Sequence, residues 1–219
     1  MFVLSNAGPV WHYPFIVKSD DPTPEAESHD SAAAQDILWM AQVKNGDTEA
    51  LRLLIETHQL RVIGTVAKML GDDTDSEDIA QQVFIRVWKS ASRYTPTAKF
   101  TTWLFKITRN LVFNELRRRK RHPAASLDGK EEEHAYQAPD TTAAAPDASM
   151  LDRELQTAIQ QAIDALPEVQ RMAIILRRHE DLSYEEIAEI LDLSVPAVKS
   201  TLFRARADLR DRLQKYLEG

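Results

Sequence analysis

Residues 182–215 have the apolar spacing of two consecutive helices separated by a three-residue break. Ser183 suits a helix N-cap, and the small Ala188 in the first helix lets a second helix approach closely. Residues 192–194 interrupt the pattern, and Pro196 then falls where the first turn of a helix tolerates proline. The apolar positions repeat at helical intervals: Ile187 and Leu191, then Val198, Leu202, Ala205 and Leu209. This stretch therefore predicts a helix-turn-helix.

The second of these helices has a basic outer face, although the formal net charge of the protein is −7. Its six basic and two acidic residues are Lys199, Arg204, Arg206, Arg210, Arg212, Lys215, Asp208 and Asp211. A solvated amphipathic helix in a bundle would also carry such a charge run. The short first helix, the break and the one-sided charge occur together, which favours a helix that enters a DNA major groove. Ser200 and Thr201 near its start would add hydrogen-bonding side chains there.

Several other classes of protein are disfavoured by the composition and by missing motifs. The 219 residues include no cysteine, so neither a disulfide framework nor a thiolate metal site is expected. No apolar run reaches about 18 residues, and the N-terminus lacks the basic start of a signal peptide. The motifs GxxxxGK(S/T), HExxH and GxSxG do not occur. We therefore expect a cytoplasmic protein with no catalytic residues, no cofactor and no metal site.

The whole chain divides into four segments. Residues 1–35 combine a proline-broken apolar start with an acidic stretch, and we expect them to be disordered. Residues 36–121 have a helical pattern throughout and form a first domain. Residues 122–149 contain three prolines and six acidic residues without an apolar period, which predicts a flexible acidic linker. With residues 150–219 as the second domain, the expected fold class is all-α, with two helical domains.

Within the first domain, residues 75–88 predict an amphipathic helix. Its expected core residues are Ile79, Val83, Val87, Phe84 and Trp88. Its opposite face is polar and carries Asp75, Asp78, Gln81, Gln82, Arg86 and Lys89. Such a face is an ordinary solvated surface or a binding surface, and the pattern alone leaves both open. His58, with no Asp or Cys spaced around it, is expected to be structural.

Residues 99–121 contain the densest positive charge of the chain. Eight basic residues stand against the single acid Glu115: Lys99, Lys106, Arg109, Arg117, Arg118, Arg119, Lys120 and Arg121. Phe100, Trp103, Phe105 and Phe113 are interleaved with them. Aromatic rings stack on unpaired bases while cations follow phosphates, so the mixture suits single-stranded or melted nucleic acid. An ordinary helix, with apolar residues in the core and a basic C-terminal end favoured by the helix dipole, is the alternative, and the two are compatible.

Three blocks of the sequence resemble the extracytoplasmic-function sigma factors of bacterial RNA polymerase. They are DSEDIAQQVFIRVW at 75–88, KFTTWLFKITRNLVFNELRR at 99–118 and LPEVQRMAIILRRHEDLSYEEIAEILDLSVPAVKSTLFRAR at 166–206. The resemblance extends over about residues 36–217, with the blocks in the family's order. It implies a region 2 domain at 36–121 and a region 4 domain at 150–219, with no region 3 domain between them.

The resemblance also implies three contact surfaces. In this family the 75–88 helix docks on the clamp helices of the largest catalytic subunit, here through Asp78, Gln81, Gln82 and Arg86. The loop and helix that follow capture a flipped base of the −10 element and hold its backbone, here through Arg93, Lys99, Phe100, Lys106, Arg109, Asn110, Arg117 and Arg118. The second helix of region 4 reads the −35 element, here through Lys199, Ser200, Thr201, Phe203, Arg204 and Arg206.

The partners implied by the resemblance are core RNA polymerase, promoter DNA and an anti-sigma factor. Polymerase would be contacted through the clamp helices of its largest subunit and the flap of its second-largest subunit. The protein would be cytoplasmic and nucleoid-associated, or held at the membrane by a membrane-bound anti-sigma factor. Three departures from the family pattern stand out. Thr201 replaces a common arginine, Asp192 replaces a common turn glycine, and residues 1–35 have no counterpart.

Two other classes of protein would use part of these features. A free-standing helix-turn-helix regulator with an N-terminal helical sensor domain would explain residues 182–215. It would leave unexplained the polar face of 75–88 and the aromatic-basic block at 99–121. An RNA-binding or helical scaffold protein would use the basic blocks without promoter specificity. Promoter-dependent transcription that requires both this chain and core polymerase would separate the sigma factor from both.

Overall fold

The computed structural model describes residues 25–71, 75–122 and 146–217, which form eight α-helices. The first four are α1 (Glu25–Lys44), α2 (Thr48–Leu70), α3 (Ser76–Ser90) and α4 (Phe100–Arg121). The last four are α5 (Pro146–Asp164), α6 (Glu168–Arg178), α7 (Tyr184–Leu191) and α8 (Val195–Leu217). These described segments contain no strand, so the predicted all-α fold class is confirmed. None of their helices is apolar over a length that would cross a bilayer.

Asp47 and Gly71 set the two ends of α2. Gly46 has a φ of 89°, and the Asp47 carboxylate then caps the helix. It accepts hydrogen bonds from the backbone N–H groups of Glu49 at 2.8 Å and Ala50 at 3.1 Å. At the other end Gly71 has a φ of 74°, a left-handed conformation that a residue with a Cβ seldom adopts. Both ends of α2 are therefore determined by nearby residues.

The apolar faces of α2, α3 and α4 meet in the core of the N-terminal half. A buried polar pair lies at the edge of this core, where His58 Nε2 is 2.9 Å from Asp36 Oδ1. Both side chains are almost completely buried, so His58 is structural, as expected. Its partner lies on α1, 22 residues earlier, which local sequence spacing does not reveal. The pair joins α1 to α2.

Helix α3 confirms all but one of the expected core positions. Ile79, Val83, Phe84 and Val87 are buried, but Trp88 is 36% exposed, so its assignment to the core is wrong. An α-helix has about 3.6 residues per turn, so each step of four residues turns a side chain further around the helix. Trp88 lies one such step beyond Phe84 and is carried out of the buried stripe.

The C-terminal half is built from α6, α7 and α8, with α5 packed on α8. Ser183 and Glu186 form a complete capping box at the start of α7. After α7, Asp192 has a φ of 54°, the left-handed backbone expected from its position in the turn. Ser194 Oγ then accepts a hydrogen bond from the N–H of Ala197 at the start of α8. Helices α7 and α8 therefore form the predicted helix-turn-helix.

Two predicted segment boundaries are wrong by several residues. Helix α1 begins at Glu25, so residues 25–35, which the sequence predicts to be disordered, are helical. The run of alanines at 32–34 favours a helix and outweighs the acidic character of that stretch. Helix α5 begins at Pro146, inside the predicted linker, because the first turn of a helix tolerates proline. Residues 1–24 and 123–145 lie outside the described residues, so the disorder and flexibility predicted there stay predictions.

The two halves are in contact in this structure. Helix α4 packs on α7, and α2 packs on α6. The apolar patterns of the sequence do not predict this arrangement, because both contacts are bordered by charged side chains. Three of the basic side chains that meet the C-terminal half, Lys99, Lys106 and Arg109, belong to the surface that the sequence assigns to melted DNA.

Candidate nucleic-acid interface

Helix α8 exposes most of the side chains that the sequence assigns to the DNA major groove. Lys199, Ser200, Phe203, Arg204 and Arg206 are all exposed, and Phe203 is 72% exposed despite its apolar ring. The residues on the opposite side, Val198, Leu202, Ala205 and Leu209, are buried as predicted. The helix therefore has one face fixed in the core and one basic face available to a ligand.

Thr201 does not belong to that available face. It is only 7% exposed, so its expected contact with DNA is wrong for this structure. Position 201 follows Val198 by three residues and precedes Ala205 by four, a spacing that places it on the buried side of the helix. The short side chain of threonine suits this buried position.

Two of the α8 cations are held by contacts within their own half. The Lys199 ammonium lies 5.6 Å from the ring centroid of Tyr184, and the Arg204 Nε donates to the backbone oxygen of Ser200 at 3.4 Å. The cation–π contact orients Lys199 without neutralising it. Both charges remain available to phosphate or base acceptors.

Helix α4 carries most of the side chains assigned to melted DNA, and the structure divides them into three groups. Arg93, just before the helix, and Lys99, Asn110, Arg117 and Arg118 are exposed. Lys106 and Arg109 are partly covered by the other half of the molecule. Phe100 is completely buried and forms the third group.

The expected contact of Phe100 with DNA is wrong for this structure. Its ring lies 5.3 Å from the centroid of His58 and 6.3 Å from that of Tyr94. Phe100 precedes Leu104 by one turn, and both side chains point into the core. Because the Phe100 ring is packed in the core, a base could stack on it only after a rearrangement of the core.

The C-terminal part of α4 presents a basic groove. It is lined by Asn114, Arg117, Lys120 and Arg121. Beside it, Glu115 pairs with Arg118 at 2.7 Å and with Arg119 at 3.0 Å. Hydrogen bonding from Arg118, and then from Arg119, holds the pKa of Glu115 below its ordinary value, so this carboxylate stays charged. The local surface remains positive because the other cations of the groove outnumber this one acid.

Two partly covered cations of α4 are paired with an acid of the helix-turn-helix. The Asp192 carboxylate lies between them, at 3.1 Å from Lys106 Nζ and 2.9 Å from an Arg109 guanidinium nitrogen. Hydrogen bonding from Lys106, and then from Arg109, holds the pKa of Asp192 below its ordinary value. Six residues earlier, in the first turn of α7, Glu186 lies 3.3 Å from Lys99 Nζ. In the sequence, these pairs are indicated only by an acid at a turn position where glycine is common.

A second set of contacts joins α2 to the C-terminal half. The buried Glu180 carboxylate accepts from Arg61 Nε at 2.7 Å and from Thr65 Oγ1 at 3.0 Å. The Arg171 guanidinium donates to the backbone oxygen of Met69 at 2.7 Å. Further along, Lys120 Nζ lies 2.6 Å from Glu168, but this pair is largely exposed and contributes little to stability.

The outer face of α3 forms a separate surface. Asp78, Gln81, Gln82 and Arg86, the side chains assigned to polymerase, are all exposed. Ile85 is 51% exposed between them and, with Gln82, Arg86 and Lys89, lines a shallow groove. Ile85 was not among the predicted surface residues, although its position outside the stripe of Ile79, Val83 and Val87 indicates exposure. The face is thus a polar rim around an apolar centre formed by Ile85 and the exposed edge of Trp88.

Two protein-family models match the chain, one in each half. The model described as Sigma-70 region 2 matches residues 54–122, and the model described as Sigma-70, region 4 matches residues 156–209. The first match covers α3 and α4 together with most of α2. The second covers about the last half of α5, all of α6 and α7, and most of α8.

Curated relatives match almost over their full length. The chain is 32% identical over 189 residues to the RNA polymerase sigma-H factor of Pseudomonas aeruginosa, covering 84% of this chain and 96% of the relative. It is 33% identical over 175 residues to the ECF RNA polymerase sigma factor SigW of Bacillus subtilis, covering 79% of this chain and 94% of the relative.

Two solved structures share the arrangement of helices. CnrH, in complex with the cytosolic domain of CnrY, superposes with a TM-score of 0.60 at 24% identity, over 83% of this chain and 98% of that one. The sigma factor RpoE of Bartonella quintana, in complex with the anti-sigma factor NepR, superposes with a TM-score of 0.58 at 23% identity, over 74% and 96%. At these identities the likeness shows a common fold.

Proposed function

Since this chain belongs to the extracytoplasmic-function sigma factors of the sigma-70 family and directs the initiation of transcription by RNA polymerase, we propose that its two halves perform different promoter tasks. Residues 36–121 form the region 2 domain, which binds core polymerase and handles the −10 element. Residues 150–219 form the region 4 domain, which reads the −35 element. The observation that carries this proposal is the presence of both family regions, in order, in one chain.

The −35 contact is assigned to the exposed basic face of α8. Lys199, Ser200, Phe203, Arg204 and Arg206 remain in this assignment, and Thr201 is removed because it is buried. Arginine recognises guanine by paired hydrogen bonds in the major groove, while a phenyl ring suits contact with a thymine methyl group. A single basic helix supports only weak binding alone, and tethering to polymerase raises its effective concentration at the promoter.

The −10 contact is assigned to the loop before α4 and to the cations of α4. Arg93, Lys99, Lys106, Arg109, Asn110, Arg117 and Arg118 remain in this assignment, and Phe100 is removed. The basic groove at the end of α4 supports the proposal because a strand of phosphates can follow it. With Phe100 buried, Phe113 and Trp103, which are partly exposed, are the aromatic rings of α4 that remain available for stacking.

Core polymerase is assigned to the outer face of α3, through Asp78, Gln81, Gln82 and Arg86. An apolar centre with a polar rim is the usual composition of a protein interface, and Ile85 with Trp88 supplies such a centre here. We infer that the clamp helices of the largest subunit occupy this face, and that the flap of the second-largest subunit holds the region 4 domain. Sigma factors are not enzymes in general, and the proposal gives this chain no catalytic residue.

An anti-sigma factor is the third proposed partner, because a sigma factor of the same fold is bound to one in its solved structure. Without the inhibitor, the protein would be found in the cytoplasm at the nucleoid. The inhibitor would bind it in the cytoplasm or, if membrane-bound, would hold it at the membrane.

Transcription reconstituted from purified components tests the proposal. Full-length chain is mixed with core polymerase and a library of promoter fragments, and run-off transcripts that require both proteins are sequenced. Arg204→Ala should weaken use of the upstream element by about 1–3 kcal/mol if the arginine contacts a base. Arg212→Ala, a loss of the same charge further along α8, is the matched control. Specific DNA binding without polymerase would instead support the free-standing regulator.

A further inference from the structure

Four carboxylates form ion pairs between the two halves, and in all four cases the acid and the base come from the same respective halves. In each case the acid comes from the C-terminal half: Glu168, Glu180, Glu186 and Asp192. In each case the base comes from the N-terminal half: Lys120, Arg61, Lys99, and Lys106 with Arg109. All of these bases except Arg61 lie in the basic block 99–121. The region 4 half therefore offers carboxylates to the cations that the region 2 half needs for DNA.

Asp192 has the most specific geometry of the four acids. Its backbone is left-handed at the turn, which aims the side chain away from the helix-turn-helix and toward α4. One carboxylate oxygen approaches Lys106 and the other approaches Arg109, so both cations share one anionic group. A DNA phosphate also presents two anionic oxygens to paired cations. Asp192 thus occupies a position that a backbone phosphate would take on these side chains.

We propose that Asp192 is an internal competitor of the DNA backbone, which closes region 4 onto α4 and masks the −10 strand-binding surface until polymerase separates the halves. The proposal rests on the assignment of Lys106 and Arg109 to DNA under the proposed function. In the closed form, strand binding must first break the contacts of Asp192. The apparent affinity of the free chain for DNA is then the affinity of the open form multiplied by the fraction of molecules that are open.

The absence of cysteine from the chain makes the opening directly measurable. Ala41 on α1 and Ala165 just after α5 are both exposed, so Ala41→Cys and Ala165→Cys place one spin label on each half. Double electron–electron resonance then gives the distribution of distances between the halves in the full chain. We expect one narrow distribution in the parent protein and a longer, broader one in Asp192→Asn.

Asparagine is the appropriate substitution because it removes the charge and tolerates the left-handed backbone at position 192. Glu189→Gln is the matched control, since Glu189 is an exposed acid on the neighbouring helix α7. It should leave the distance distribution unchanged. Thermal melting followed by circular dichroism checks that both variants are folded. Equal distributions for Asp192→Asn and the parent chain would overturn the proposal.

Binding of a short fluorescein-labelled DNA single strand of mixed sequence tests the masking itself. At fixed salt, Asp192→Asn should bind this strand roughly threefold to tenfold more tightly than the parent chain or Glu189→Gln, the range expected for loss of a partly exposed ion-pair cluster. Opening of the halves without any gain in strand binding would overturn the masking.

Run-off transcription with Arg109→Ala in the assembled holoenzyme separates this proposal from the one on which it rests. If Arg109→Ala weakens promoter opening while the distance distributions of Asp192→Asn and the parent chain coincide, the proposed function stands and the internal competition fails. If Arg109→Ala transcribes like the parent chain, the assignment of α4 to DNA fails, and with it the competition.

Discussion

Replacement of Ile85 by alanine should weaken the binding of core RNA polymerase about fivefold without destabilising the protein. Ile85 is 51% exposed in the centre of the outer face of α3. Complete burial of an isoleucine side chain contributes about 1.5–3 kcal/mol, so burying the exposed half contributes about 1 kcal/mol, or about fivefold in the dissociation constant.

The substitution separates binding from folding because Ile85 makes little contact with the core. Alanine has a higher helix propensity than isoleucine, so Ile85→Ala should leave the stability of α3 unchanged or slightly higher. Leu38→Ala is the matched control, since Leu38 on α1 is a similarly exposed aliphatic residue, at 59%, outside the proposed interface. Gln81→Ala, on the polar rim of the same face, should also weaken polymerase binding.

The measurement is a titration of labelled chain with purified core polymerase, followed by fluorescence anisotropy. Urea denaturation of each variant provides the comparison of stabilities. If Ile85→Ala and Gln81→Ala both bind polymerase like Leu38→Ala and the parent chain, the outer face of α3 is not the polymerase contact. If only Ile85→Ala binds normally, the contact is polar and its apolar centre remains exposed in the complex.

Two further predictions concern buried or shifted polar groups. The Tyr94 hydroxyl is buried without a hydrogen-bond partner, so Tyr94→Phe should raise the free energy of unfolding by about 1 kcal/mol in urea denaturation, and a loss of stability would show that the hydroxyl is bonded. The pKa of His179 is lowered from 6.5 to about 4 by burial and by the nearby charges of Lys68 and Arg178. As pH falls through this window the unfolded chain takes up the proton first, so stability should fall with pH. His179→Gln should make that fall shallower, and equal slopes in denaturation series at several pH values would contradict the assignment.

Much of the fold follows from local sequence signals because helix ends depend on nearby residues. The Asp47 cap, the Gly71 terminus, the Ser183 capping box and the left-handed Asp192 all act within a few residues of their own position. The pairing of His58 with Asp36 depends instead on how α1 crosses α2, and no local pattern records a contact 22 residues apart. The early start of α1 is not predicted because the acidic composition of residues 25–35 is interpreted as disorder. Acidic residues disfavour burial in a core, but they do not prevent a helix.

The sequence located the candidate surfaces, but it assigned some individual residues to them wrongly. Charge runs identified the basic faces of α4 and α8, but charge alone does not tell which neighbouring uncharged residue turns inward. Phe100 and Thr201 both lie among exposed cations and are both buried. Their burial follows from their register with Leu104 and Val198, respectively. A helical wheel applied to the uncharged residues, and not only to the cations, would have excluded both from the DNA contacts.

Asp192 places an acidic side chain directly against the basic surface of α4, in a chain whose net charge is −7. Glycine would suit the left-handed turn at no steric cost, so aspartate there is not required by the backbone. If the proposed competition holds, its carboxylate neutralises two cations of α4 in the closed chain. In the open chain the same carboxylate, close in sequence to the start of α8, would repel DNA phosphates near the recognition helix. Both effects lower the affinity of the free chain for DNA, and neither prevents binding once polymerase holds the two halves apart beside the promoter.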